Sequence, residues 1–323
     1  MRLRGTQDDA TRSLASATYN GKTLALIHTG AALAVSFALT LCNLLLSNGI
    51  ANTGGLSGIG TRTMLQATQS VLSIASTVAL PFWQIGFLYA GICYARNEDV
   101  HPGTLLEGFR RFGPVLRLFL LEMAIFVGVG IACLNAAGFL IMLTPFFDTM
   151  AQALEPVFST SVSAETLLND PAITQAIVQA AIPMYVLFGV LFLLVSIPLS
   201  YRLRMAQFAI MDDAPGALAA IAKSLRMMRG NCLSLFRADL RFWWFYGLKI
   251  LVAIVAYGDI LLGLAGVTLP VSQEVLYFGF YGLYIVLELG LSWRFAAHVQ
   301  TTYGHCYDKL KANMPKPKML IEN

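Results

Sequence analysis

Six runs of apolar residues dominate the chain, at roughly 23–46, 67–95, 115–143, 180–200, 235–265 and 274–298. A helix needs about 20 apolar residues to cross a hydrocarbon layer, and every run supplies that. Several are longer, which predicts tilted helices or ends that project into the interface. In hydrocarbon only helices and closed barrels satisfy their own backbone groups. No alternating pattern of barrel-strand length is present, so strands are excluded. The pattern predicts an all-α polytopic membrane protein of six transmembrane helices. Residues 1–323 read as a single integral-membrane domain, with an N-terminal segment 1–22 and a C-terminal tail 299–323.

Two stretches between the runs carry a second pattern. In "MDDAPGALAAIAKSLRMMRGN", Leu218, Ile221, Leu225 and Met228 recur at helical spacing, with Lys223, Arg226 and Arg229 in the second half. Asp213 and Pro215 read as the helix start and Gly230 as its end. This predicts an amphipathic helix on a membrane surface, its cations toward anionic headgroups. Asn231 then caps the next helix, which rises through the interfacial aromatics Trp243, Trp244 and Tyr246. "HPGTLLEGFRRFGPVLRLFLLE" has the same layout, with Arg110 and Arg111 as its cations. From Gly113 and from Gly230 the offsets +3, +5, +6 and +9 match: Leu116, Leu118, Phe119 and Glu122 against Leu233, Leu235, Phe236 and Asp239. Each copy follows a run containing a proline, Pro81 or Pro198. The match predicts two cytoplasmic amphipathic helices within a repeat of spans 2–3 and 4–5, although short amphipathic loops also resemble one another by chance.

Composition agrees with the runs. The chain is 57% hydrophobic and 12% charged, with mean hydropathy +0.66. A soluble domain is about 25% charged. Lys and Arg concentrate in alternate connections, and the segment 144–178 has none but carries Asp148, Glu155, Glu165 and Asp170. This distribution predicts a cell-membrane protein with both termini cytoplasmic. The net charge of +4 is then a topology signal and no sign of nucleic-acid binding. Asp8 and Asp9 in the N-terminal segment argue against a cleaved leader. The five scattered cysteines form neither a disulfide framework nor a metal motif.

The run "AIAKSLRMMRGNCLSLFRADLRFWWF", with "YGDILLGLAGVTLP" downstream, resembles the bacterial integral-membrane family catalogued as domain of unknown function 975. The residues that carry the resemblance are Ser224, Met228-Arg229-Gly230, Leu235-Phe236 and Asp239-Leu240 before Phe242-Trp243-Trp244. Ala238 departs from the Leu expected there. The resemblance covers residues 205–270 and is weak elsewhere. It implies a bacterial plasma-membrane protein and carries no activity with it.

Charges inside spans are costly and mark candidate sites. Glu122, Lys249 and Glu288 fall at similar depths, so a cluster of the three is feasible. Asp259 lies ten residues beyond Lys249, about 15 Å along a helix, too far to pair with it in the same helix. Tyr277, Tyr281, Tyr284 and Glu288 share one helix face. That stripe lines either a polar path or an aromatic belt with interhelical hydrogen bonds. His28 reads as a hydrogen-bonded packing residue, and Asn43, Gln84 and Asn135 as interhelical glue. "YGD" at 257–259 has no second membrane aspartate to make a protease, and no other enzyme or metal motif is present. No cofactor is expected and the chain reads as a non-enzyme. Its expected partners are the lipid bilayer, with anionic lipids at the inner leaflet, and a membrane protein. The function expected is a small permease or an accessory subunit of a membrane transport system. The alternative is a non-catalytic membrane scaffold or lipid-interacting protein.

Overall fold

The computed structural model describes residues 5–17, 20–52, 59–144, 171–264 and 272–314. These are helical, with no strand among the described residues. Helix α1 spans Thr6–Ser16, α2 Gly21–Asn52 and α3 Ile59–Ala95. A 3₁₀ turn at Pro102–Leu106 and the four-residue α4, Glu107–Arg110, precede α5, Phe112–Met142. Then follow α6 (Pro171–Leu203), α7 (Met205–Asp212), α8 (Ala217–Met228) and α9 (Cys232–Asp239). A 3₁₀ turn at Leu240–Phe242 leads into α10 (Trp243–Val255) and α11 (Gly258–Leu264). Helix α12 (Gln273–Leu291) passes through a π-helical turn, Ser292–Ala296, into α13 (Ala297–Ala312). Among the described residues five helices are long and apolar enough to cross a membrane: Gly21–Cys42, Thr63–Ala95, Phe112–Met142, Ile182–Asp212 and Val275–Ala312.

The expected fifth span, 235–265, is not one helix. It breaks at the 3₁₀ turn and again at Ala256–Tyr257, which leaves α10 with 13 residues. At about 1.5 Å per residue that is near 20 Å, short of a hydrocarbon layer of about 30 Å. At the second break Gly258 packs so closely that a Cβ there would stand 2.5 Å from the Phe280 ring. Hydropathy reports where a segment partitions, and takes no account of such packing.

The chain divides into two compact units, Met1–Leu118 with Arg204–Asn323, and Phe119–Leu203. This differs from the single domain read from the absence of linkers. Within the first unit α3 crosses α13 and also packs on α2. The core there holds Leu24, Phe87, Ala90, Tyr94, Leu105 and Ala297. The crossing of α3 with α13 depends on glycine. A Cβ at Gly91 would lie 2.7 Å from the Gln300 carbonyl oxygen, and one at Gly304 would meet the Gly91 carbonyl. Both obstacles are backbone and cannot rotate away. We expect Gly304→Val to part these helices at a cost of about 3 kcal/mol or more, at the upper end of overpacking penalties. The check is the thermal midpoint of the detergent-purified variant; a midpoint equal to wild type would refute the close crossing.

Both tails belong to this core. Along α13 the residues Val299, Thr301, Thr302, Tyr303, Gly304, Cys306, Tyr307 and Leu310 are buried. Helix α1 packs on α13 and buries Thr6, Ala10 and Ser13. Their low mean hydropathy hid this, because much of what they bury is Thr, Tyr and Gly.

Helix α8 also differs from expectation. It starts at Ala217, and Asp213 follows α7 instead of capping α8. Its buried face is Ala217, Ala220, Ile221, Ser224, Met227 and Met228, packed on α7, while Leu218 and Leu225 are exposed. The apolar face read from spacing is therefore divided between two sides. Gly230 does end the helix, in the left-handed conformation at φ 78°. Gly113 instead lies inside α5, so the two glycines that aligned the repeat serve different backbones. Asn231 stands at the N-cap of α9 as expected, but its side chain makes no capping bond there; its Nδ2 donates to the Met227 carbonyl at 2.9 Å.

In the second unit no residue of 182–202 is buried, and Leu193, Leu194 and Val195 are exposed. A helix apolar on all sides and open on all sides requires a non-aqueous surround. Phe188 and Phe192 stack at 5.7 Å within α6. The expected cap by Asp170 and the acidic stretch Asp148–Glu165 lie outside the described residues.

Candidate functional site

The first unit holds a half-open cavity of about 540 Å³ lined from α2, α3, α7, α10, α12, the π turn and α13. Lys249 on α10 and Glu288 on α12 meet in its wall, with Nζ 2.6 Å from Oε1. Ser292, on the π turn, donates to the same oxygen at 3.5 Å. The Glu288 side chain is 12% exposed and that of Lys249 38%. Lys249 also stands 5.7 Å from the Phe245 ring, a cation–π distance. Tyr284 lines the cavity next to Glu288, and the stripe continues through Tyr281 and Tyr277 with ring centroids 5.7 and 6.0 Å apart. Tyr281 stacks on Phe37 of α2.

A second polar group closes on the same cavity. Arg204, the residue between α6 and α7, places Nη1 2.5 Å from Asp239 Oδ2. Its guanidinium lies 4.3 Å over the Tyr303 ring. Tyr303 donates its hydroxyl to Asp239 Oδ1 at 2.6 Å and meets the Tyr246 hydroxyl at 2.9 Å. Gln84, Gln207 and Gln300 complete the polar lining. In sequence Arg204 is one of many topology cations; only its tertiary partners single it out.

His28 also lines the cavity, stacked on Phe87 at 4.3 Å and on Trp83 at 5.8 Å. It packs as expected, but the hydrogen bond expected of its side chain is not seen at Nε2. Its hydrogen bond is through the carbonyl, which accepts from Trp83 Nε1 at 2.9 Å. The buried ring Nε2 has no partner among the described residues. Of the other amides, Asn135 bonds within its own helix, to Ile131, and the Asn43 side chain lies outside what is described.

The remaining candidates scatter. Glu122 belongs to the second unit. Asp259 sits in the first turn of α11 and does not line the cavity. Of the expected membrane-surface cations, Arg226 and Arg229 are exposed. Arg110 pairs with Glu107 of its own helix at 2.5 Å. Arg111 donates to the Ile210 carbonyl at 3.3 Å. Lys223 is turned inward, its side chain only 11% exposed, onto Asp213 and the Tyr307 hydroxyl.

Lys223 is part of a charge network that the sequence did not disclose. Arg96, at the end of α3, binds Asp212 at 2.8 Å and Asp308 at 2.6 Å. Asp212 Oδ2 also accepts from Lys311 at 2.5 Å and from Tyr307 at 2.8 Å. Lys311 reaches Asp213 at 3.0 Å, and Lys309 reaches Asp9 of α1 at 2.8 Å. Hydrogen bonds to Asp308 and then Asp212 hold the Arg96 guanidinium more firmly protonated than usual. The network ties α1, α3, α7, α8 and α13 together at one end.

No family model matches the chain, and no curated protein or solved structure matches it either. The fold and cavity therefore define the class on their own: among the described residues the protein is helical with five helices suited to cross a membrane, and one unit holds a charged, half-open cavity.

Proposed function

We propose that this protein is a small permease, or the membrane subunit of a transport system, that handles a small charged or zwitterionic solute. The observation that supports this reading is the ion pair Lys249–Glu288 in the wall of a cavity large enough for such a solute. Ionisable groups within membrane helices mark solute and proton paths. Arg204 and Asp239 offer a second pair of opposite charges for the other end of a zwitterion. The chain would sit in a bacterial plasma membrane with both termini cytoplasmic, as the Lys and Arg distribution and the family resemblance imply. The interrupted α9–α11 would make the sixth crossing, and broken helices of this kind line transport sites. The scaffold reading has one observation in its favour, that the membrane charges are already paired.

Ligand-induced stabilisation separates the two. Bound solute at 100 times its Kd adds about 2.7 kcal/mol to the folded state. We expect amino acids or other small zwitterions to raise the thermal midpoint of the wild type and to enter proteoliposomes. Glu288→Gln should retain the fold and lose both effects. If no solute stabilises the wild type, and Glu288→Gln merely lowers its midpoint, the charges serve the scaffold.

A further inference from the structure

A second cavity, of about 560 Å³, lies between α1, the start of α2, the turn that leads into α10, and the π turn with the start of α13. Its lining includes three cations, Lys22, Arg241 and Arg294, and no carboxylate. No salt bridge engages these three among the described residues, whereas Arg96, Arg204, Lys223, Lys249, Lys309 and Lys311 all hold carboxylates. Three like charges around one hollow repel one another unless an anion joins them. The rest of the wall is mixed: Gln7, Thr11, Asn20 and His298 are polar, while Leu14, Phe242, Trp244, Phe295 and Val299 form an apolar, largely aromatic side.

We propose that this cavity binds the phosphate headgroup of an anionic phospholipid, with one acyl chain lying along the aromatic wall. Two arginines provide forked donors suited to phosphate oxygens. Arg241 is followed by Phe242-Trp243-Trp244 and Arg294 lies between Trp293 and Phe295, the composition of a membrane interface. Trp243 and Trp293, which flank the pocket residues, are exposed as an interfacial belt requires. A soluble phosphate would use the cations but not that wall, so the wall commits the site to a lipid. The π turn supplies a structural reason for the placement. It directs Arg294 and Phe295 to this pocket and Ser292 and Ala296 to the polar cavity. π turns of this kind recur at functional sites. The inference is independent of what the polar cavity carries.

The test uses full-length protein in nanodiscs of phosphatidylcholine containing phosphatidylglycerol, read by native mass spectrometry for retained lipid. Wild type should retain phosphatidylglycerol over phosphatidylcholine by about tenfold or more, and Arg241→Gln with Arg294→Gln should remove about that much preference. Circular dichroism in pure phosphatidylcholine confirms that the variant is folded. Should it fail to fold, Lys22→Gln, an exposed change at a helix start, gives a smaller loss of the same sign. Equal retention of the two lipids, or a preference that survives these substitutions, overturns the proposal. So does displacement by glycerol phosphate as effective as by the whole lipid, which would make the pocket a soluble-phosphate site.

Discussion

Lys249→Met should destabilise the protein more than Glu288→Gln, and the double variant should recover most of the loss. The asymmetry comes from burial and reach. Removing Lys249 strands a short carboxylate whose side chain is 12% exposed. Removing the charge of Glu288 leaves an ammonium on a long stem, 38% exposed, that can still snorkel toward water. Stranding one member of a buried pair costs about 3–5 kcal/mol, while replacing both by apolar groups is often neutral. We expect Lys249→Met near the lower end of that range, because Ser292 still donates to Glu288 Oε1. Lys249→Met with Glu288→Leu should return to within about 1 kcal/mol of wild type, with Glu288→Leu alone made as the second single variant. A double-mutant cycle of thermal midpoints in one detergent decides this. Additive losses would mean that the pair makes no specific contact.

Asp212→Ala should loosen a whole end of the first unit. The Asp212 side chain is 8% exposed and accepts from Arg96, Lys311 and Tyr307. Its removal leaves two cations and a hydroxyl without their common acceptor, at a cost of about 3–5 kcal/mol. Amide hydrogen exchange should show α13 and α7 losing protection together, because the network and not a local contact holds them. Exchange confined to α7 would limit Asp212 to a local role. Acid should attack the same region. A hydrogen bond from Lys309 holds the Asp9 carboxyl below its ordinary value of 3.8. Burial pushes the Asp213 carboxyl up, but Lys223 and Lys311 outweigh that and also leave it below 3.8. Both carboxyls favour the folded state above their unfolded pKa. That contribution is lost as the pH falls through the lowered folded values, so α1 and α8 should stay protected down to about pH 4 and open below it.

Much of the molecule follows from the sequence. The ends of α2 and α5 and the C-terminal ends of α3 and α6 fall within a turn or two of the apolar runs, because partitioning into hydrocarbon is a property of composition over about 20 residues; α3 and α6 start more than two turns ahead of theirs. The tyrosine stripe was legible because helical spacing alone places Tyr277, Tyr281, Tyr284 and Glu288 on one face. Lys249 and Glu288 stood out as charges within apolar runs, and the structure brings them together; Asp259 stood out for the same reason and does not line the cavity, while Glu122 belongs to the other unit.

What the sequence left open depended on contacts between segments far apart in the chain. Arg96 meets Asp308 across 212 positions and Lys309 meets Asp9 across 300, and no local pattern encodes such pairs. Arg204 and Lys223 looked like ordinary loop cations until Asp239, Tyr303, Asp213 and Tyr307 surrounded them. The broken span needed the close approach of Gly258 to Phe280, and the tight crossing of α3 with α13 needed Gly91 to meet Gly304. Hydropathy and periodicity sum one-body preferences of residues for their surroundings. Ion pairs, close crossings and cavities are properties of two or more residues at once, and only the tertiary structure fixes which ones meet.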